Sequence, residues 1–207
     1  MKKKTLLCAI ICTTGIFVAC NNSQTTTDGG DKATPEREIV LNDKIQNTFF
    51  GVSFGATKDE VVSAFAEHDF YEDYYNTDSR LSFEKKTSQH GLKVGRFSFG
   101  GLNWELLYVN LANNHFKSIE FANAFRTKES ALKSFDNVLS VVSSKYQLYE
   151  EPIDDTSSYK RFVGIAKYGG QWVIVHCYSY ESVGYQRWVS VELAYGDNSI
   201  ISVSDEL

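Results

Sequence analysis

Gly51-Val52-Ser53-Phe54-Gly55 spells G-x-S-x-G. In that pattern a strained strand-to-helix turn presents a serine oxygen beside an oxyanion hole. The chemistry needs a helix directly behind the serine and a parallel sheet built from βα units. Here the first helix signal opens only at Thr57, and most of the remaining chain reads as hairpins. A serine hydrolase using Ser53 is therefore the remote reading. S-x-x-K occurs at Ser82/Lys85, Ser130/Lys133 and Ser157/Lys160, about as often as chance predicts and without its companion motifs. His68, His90, His115 and His176 are widely spaced, and neither H-E-x-x-H nor C-x-x-C is present. No metal, no cofactor and no catalytic residue is expected. The acidic, tyrosine-rich run 69–75 lacks the spacing of a calcium loop and reads as packing plus a solvated edge, with partner binding the second reading.

The residue types that stand out are aromatic. In 171–181, Val173, Val175 and Cys177 alternate with Trp172, Ile174, His176, Tyr178 and Tyr180. In 187–195, Val189, Val191 and Leu193 alternate with Trp188, Ser190 and Glu192. In 103–111, Leu107, Val109 and Leu111 alternate with Trp104, Leu106 and Tyr108. Successive strand residues point to opposite faces, so each run has one aliphatic face and one aromatic, partly polar face. If the aliphatic faces pack on helices, the aromatic ones are left toward solvent, unless the 21–37 arm, the tyrosine-rich loop or sheet curvature covers them. Tryptophan and tyrosine join large apolar area to a polar handle and dominate binding hot spots. Trp104, Tyr108, Trp172, His176, Tyr178 and Trp188 are the candidate binding residues.

The elements that must position them follow from periodicity. Phe50, Val52 and Phe54 predict a strand, and Thr57 with Glu60 forms a capping box that opens a helix. Val61, Ala64, Phe65 and His68 fall on one face of that helix, which predicts a core histidine at 68. Alternation from Leu81 to Asn123, punctuated by Gly91, Gly100-Gly101 and Asn113-Asn114, predicts successive antiparallel strands. Thr127 opens a second helix whose apolar stripe is Leu132, Phe135, Leu139, Val142 and Tyr146. Three strands follow, over 159–168, 171–181 and 187–195, with a tight turn at Gly169-Gly170 between the first two. Thr57-Lys58-Asp59 ending at Phe65 echoes Thr127-Lys128-Glu129 ending at Phe135, which points either to a duplicated helix-plus-strands unit or to helix-start chemistry shared without duplication. The expected fold class is α+β, an antiparallel sheet backed by two helices.

The start of the chain carries an address. Lys2, Lys3 and Lys4 precede a mostly apolar stretch over 6–18, too short to cross a bilayer but suited to a signal peptide. It ends in Phe17-Val18-Ala19-Cys20, which resembles the lipobox of bacterial lipoproteins, with Phe17 where that family usually has Leu. The resemblance implies cleavage after residue 19, lipidation of Cys20, and a protein tethered to the bacterial cell envelope; the outer membrane is the expected place, with the choice of membrane and leaflet left open by the composition. Several acyl chains together give stable anchoring. Removing three leader lysines leaves 18 basic against 26 acidic residues, a net charge of −8 instead of −5. That balance argues against a nucleic-acid partner. Cys8 and Cys12 would leave with the leader, so Cys177 would have no intramolecular disulfide partner. Residues 20–37, rich in Asn, Ser, Thr, Gly and Asp, read as a tether, and 38–207 as one domain.

Phe50-Gly51-Val52 followed by Gly55-x-Thr57-Lys58-x-Glu60-Val61 resembles the opening of small envelope lipoproteins of the SmpA/OmlA group. The order of elements is also similar to that of the β-lactamase inhibitor protein, which repeats a helix-and-sheet unit. These resemblances imply a helix-backed sheet that binds other proteins on its exposed sheet or loop surfaces. The expected function is a lipid-anchored, non-catalytic module that binds an envelope protein through its aromatic sheet face. The alternative is a lipoprotein that binds a glycan or small ligand on the same face.

Overall fold

Thr57 opens the first helix with both halves of the capping box in place. Its hydroxyl accepts from the Glu60 N–H, and its own N–H donates to the Glu60 carboxylate at 2.8 Å. The computed structural model describes residues 39–73, 76–77, 79–85, 95–153, 155–181 and 186–200. Cys20, the leader, the tether, His90 and Gly91 lie outside them. Helix α1 spans Lys58–Glu67, and α2, capped by the Thr127 hydroxyl, spans Lys128–Ser143. Among the described residues no helix is long and apolar enough to cross a membrane.

The strands are β1 (Thr48–Phe49), β2 (Val52–Ser53), β3 (Phe70–Glu72), β4 (Arg80–Lys85), β5 (Phe97–Phe99), β6 (Leu102–Trp104), β7 (Leu106–Ala112), β8 (His115–Phe125), β9 (Tyr149–Glu150), β10 (Ser158–Ile165), β11 (Gln171–Glu181) and β12 (Arg187–Asp197). Eight of them form one sheet in the order β3-β4-β7-β8-β12-β11-β10-β9, and every neighbouring pair is antiparallel. The order is symmetric about its centre. Each half is a helix followed by four sheet strands, and the last strands of the two halves, β8 and β12, pair at the centre. The β5–β6 hairpin is an insertion in the first half. The fold is α+β, with the two helices, β1–β2 and β5–β6 on one side of the main sheet.

The two halves fill their core differently. Under α2 the sheet presents Val173, Val175, Cys177, Val191 and Leu193, all buried against Ala131, Phe135, Val138 and Val142. The buried stripe of α2 thus runs through 131 and 138, leaving Leu132 and Leu139 half-buried. Burial pushes the Cys177 thiol up to about 11, so it packs as a small hydrophobe. The first half is a phenylalanine cluster. Phe49 lies within 6.3 Å, ring to ring, of Phe54, Phe99, Phe116, Phe121 and Tyr195, and Phe65 lies 4.7 Å from Phe83.

Three expectations are corrected. Residues 50–54 are not one strand: Phe50 and Gly51 take φ of 49° and 83°, making a turn that reverses the chain between β1 and β2. Both central residues of such a turn need positive φ, which glycine accepts without cost. Phe50 is held there by packing, 5.0 Å from Phe65 and 5.1 Å from Phe70. His68 is not a core histidine, because α1 ends at Glu67 and His68 is its exposed cap. Trp104 is not on the aromatic face. Gly100 and Gly101, at φ of 64° and 81°, turn β5 into β6, and Glu105 interrupts the run between β6 and β7. The hairpin folds back over the helix side of the sheet, where Phe99 stacks on Phe121 at 4.1 Å and 6°. Trp104 is 0% exposed there, 5.8 Å from the Phe121 ring, with its indole N–H on the Phe99 carbonyl at 3.2 Å.

Candidate functional site

Antiparallel register decides what the outer face of the sheet carries. Tyr108 on β7 pairs with Glu120 on β8 and with Ser82 on β4. Glu192 on β12 pairs with Ala122 on one side and His176 on the other, and Tyr178 pairs with Ser190, Tyr180 with Trp188, Trp172 with Gly196. Paired residues share a face, so Tyr108, Trp172, His176, Tyr178 and Trp188 are brought together as the sequence predicts, each half-buried. Arg80 and Glu120 join them. Alternation within a single strand does not show these two, since their place depends on strands β4 and β8 meeting β7.

Two tryptophans flank the face. Trp172 lies across Gly196, where a Cβ would come within 2.2 Å of its ring, and its indole N–H donates to the Asn198 side chain at 3.1 Å. Trp188 takes the Arg126 guanidinium 3.7 Å above its ring. Between them the polar groups are mostly partnered. Arg80 pairs with Glu120 at 2.9 Å and sits 4.3 Å over the Tyr108 ring, while the Asn110 amide bridges Glu120 at 2.7 Å and Ser118 at 2.9 Å. The Tyr178 hydroxyl donates to Glu192. A hollow of about 130 Å³ opens at the centre, walled by Leu106, Tyr108, Tyr178 and Tyr180 and bounded by Arg80 and Glu192. A second hollow of about 350 Å³, lined by Asp73, Asn76, Thr77, Arg80, Ser82 and Tyr108, adjoins it through Arg80 and Tyr108.

His176 Nε2 lies 3.0 Å from the Ser158 hydroxyl, and its ring is 4.7 Å from Tyr178. A serine beside an imidazole is the start of a nucleophile–base pair. Burial, with Arg161 nearby, holds this imidazole down at about 4, which makes it a weak base. Among the described residues no carboxylate bonds its other nitrogen, and Asp155 accepts from Ser157 instead. Ser53 lies in β2, exposed, with its hydroxyl 2.7 Å from that of Thr48. Among the described residues, neither serine is joined to a base that is itself oriented by a carboxylate, the arrangement of a catalytic triad.

The His176 shift has a consequence for stability. An imidazole with a folded value of about 4 against 6.5 unfolded binds its proton more readily when unfolded. Its contribution is complete above about pH 6.5 and is lost as pH falls through about 4. Urea unfolding of the wild type and His176→Gln, which keeps a partner for Ser158, should therefore show a stability difference that shifts against the wild type across this window. A difference independent of pH would mean that His176 is not buried as described.

No known protein family, curated protein or solved structure matches this chain.

Proposed function

We propose that the protein is a lipid-anchored envelope module, held through Cys20, that binds a partner protein non-catalytically on the outer face of its sheet. The observation that carries this reading is the aromatic face itself. Tyr108, Trp172, His176, Tyr178, Tyr180 and Trp188 lie half-exposed on one surface, with the Arg80 and Arg126 guanidiniums over the Tyr108 and Trp188 rings. Exposed aromatic patches of this extent mark interaction surfaces, and rings anchored at their edges present apolar area at small entropic cost. The Cys20 lipobox and the composition of 20–37 support the anchored part.

The test is crosslinking in native envelopes with tagged full-length protein. One partner protein should be enriched by the wild type and by Lys133→Ala, on the exposed side of α2. The Tyr108→Ala/Trp188→Ala double variant, if folded, should lose it. Release by free sugar would move the reading to a glycan ligand, and equal enrichment by the double variant would overturn it.

A further inference from the structure

We infer that the central hollow of the outer face receives an ammonium group, the lysine side chain of the partner protein; this rests on the docking reading above. The charges around the hollow support it. Arg80 is paired with Glu120 at 2.9 Å, and Arg161, farther along the face, with Glu151 at 2.8 Å. Glu192 has no ion pair among the described residues. One of its oxygens, Oε1, accepts from Tyr178, with Ser190 at 3.5 Å, and the other takes no hydrogen bond among these residues. The hollow thus holds a carboxylate with no ion pair of its own, half-buried beside three tyrosine rings, where an opposite charge is attracted more strongly than in bulk water.

Ring faces add to this attraction for cations. The same face already shows it twice inside the molecule, in Arg80 over Tyr108 and Arg126 over Trp188. Size selects a side-chain tip: about 130 Å³ is below the ~300–1,000 Å³ of ordinary small-molecule pockets. Chemistry selects lysine over arginine. A guanidinium is best matched by both oxygens of a carboxylate, whereas an ammonium needs only the one that Tyr178 leaves open.

Acidity should oppose binding. Burial raises Glu192 above the ordinary carboxylate range, against the Tyr178 hydrogen bond and with Glu120 and Arg80 acting in opposite senses. The groups facing it are Arg80 from β4, Tyr108 from β7, Glu120 from β8, and His176, Tyr178 and Tyr180 from β11. Protonation of Glu192 removes the attraction, and protonation of His176 at lower pH adds repulsion.

Full-length protein with isotope-labelled tyrosine rings, titrated with n-butylammonium chloride and separately with n-butanol, provides the test by NMR. Butylammonium should shift the Tyr178 and Tyr180 resonances saturably, and butanol should not. Glu192→Gln should weaken the affinity about tenfold or more, whereas Asp136→Asn, an equal charge change on exposed α2, should change it less than about twofold. If Glu192→Gln does not fold, the pH titration of the wild type replaces it, with affinity falling on acidification. Equal effects of the two variants, equal binding of butanol, or affinity unchanged by acidification would overturn the inference. Partner capture separates it from the reading it rests on. Capture lost in the Tyr108/Trp188 variant but intact in Glu192→Gln leaves docking standing without the lysine anchor. Butylammonium binding with no partner captured removes both, leaving a small-amine site.

Discussion

Trp104→Ala should cost about 3–5 kcal/mol, the range for truncating a fully buried large aromatic side chain, while Trp188→Ala should cost less than about 1.5 kcal/mol, as surface changes do. Both tryptophans occur in strand-like runs, so local sequence does not rank them. The difference arises from what surrounds each ring. Trp104 is 0% exposed, is paired with Phe97 across the β5–β6 ribbon, and packs on Phe121 with its indole N–H satisfied by the Phe99 carbonyl. Removing it opens a cavity between the ribbon and the sheet, and frees a carbonyl that has no other indole to accept from. Trp188 lies at the rim of the outer face with Arg126 on its open side. Urea unfolding followed by far-UV circular dichroism gives both values. Equal costs, or the reverse order, would mean that the β5–β6 ribbon does not cover the helix side of the sheet.

Asn42→Ala should be the next most damaging change, at about 1–3 kcal/mol, because the part-buried N–H and carbonyl of Gln147 both lose their partner, at ~0.5–1.5 kcal/mol each. Asn42 is 7% exposed and joins three segments. Its side-chain amide donates to the Gln147 carbonyl at 3.0 Å and accepts from the Gln147 N–H at 2.7 Å. Its backbone adds a parallel bridge to Ala166, through Asn42 N–H to the Ile165 carbonyl at 2.8 Å and Lys167 N–H to the Asn42 carbonyl at 2.7 Å. The residue therefore pins the entry of the domain to the end of β10 and to the connection after α2. Hydrogen exchange should show lost protection at the Gln147 and Lys167 amides in the variant. Unchanged exchange there, with a stability loss under about 0.5 kcal/mol, the ordinary range for a surface change, would contradict this role.

What was legible in the sequence was local. Both helix starts follow from one hydroxyl and the N–H three residues on, and the Asn113-Asn114 turn from two residues that tolerate positive φ. The faces of β11 follow from alternation along the strand, and those of β12 from Trp188, Ser190 and Glu192 alternating with Val189, Val191 and Leu193. The errors lie where a neighbour in space overrides that local signal. Phe50 adopts a turn conformation that few side chains choose, because Phe65 and Phe70 hold its ring. Trp104 and Tyr108 would share a face on a continuous strand, but the ribbon before Glu105 finds an aromatic surface to cover and leaves the sheet. Asn42 carries no motif, and its importance depends on Gln147, 105 residues away.

By itself, then, the sequence determined the α+β class, the places where helices begin, and the aromatic face of the long strands, since each depends on chemistry within a few residues. Tertiary structure alone decided which tryptophan is core. It also decided how Arg80 and Glu192, on β4 and β12, come to border one hollow, with Glu120 on β8 paired to Arg80. The physical reason is register: these groups meet only through hydrogen bonds that align strands across the sheet, and no spacing along the chain encodes the order β4-β7-β8-β12-β11.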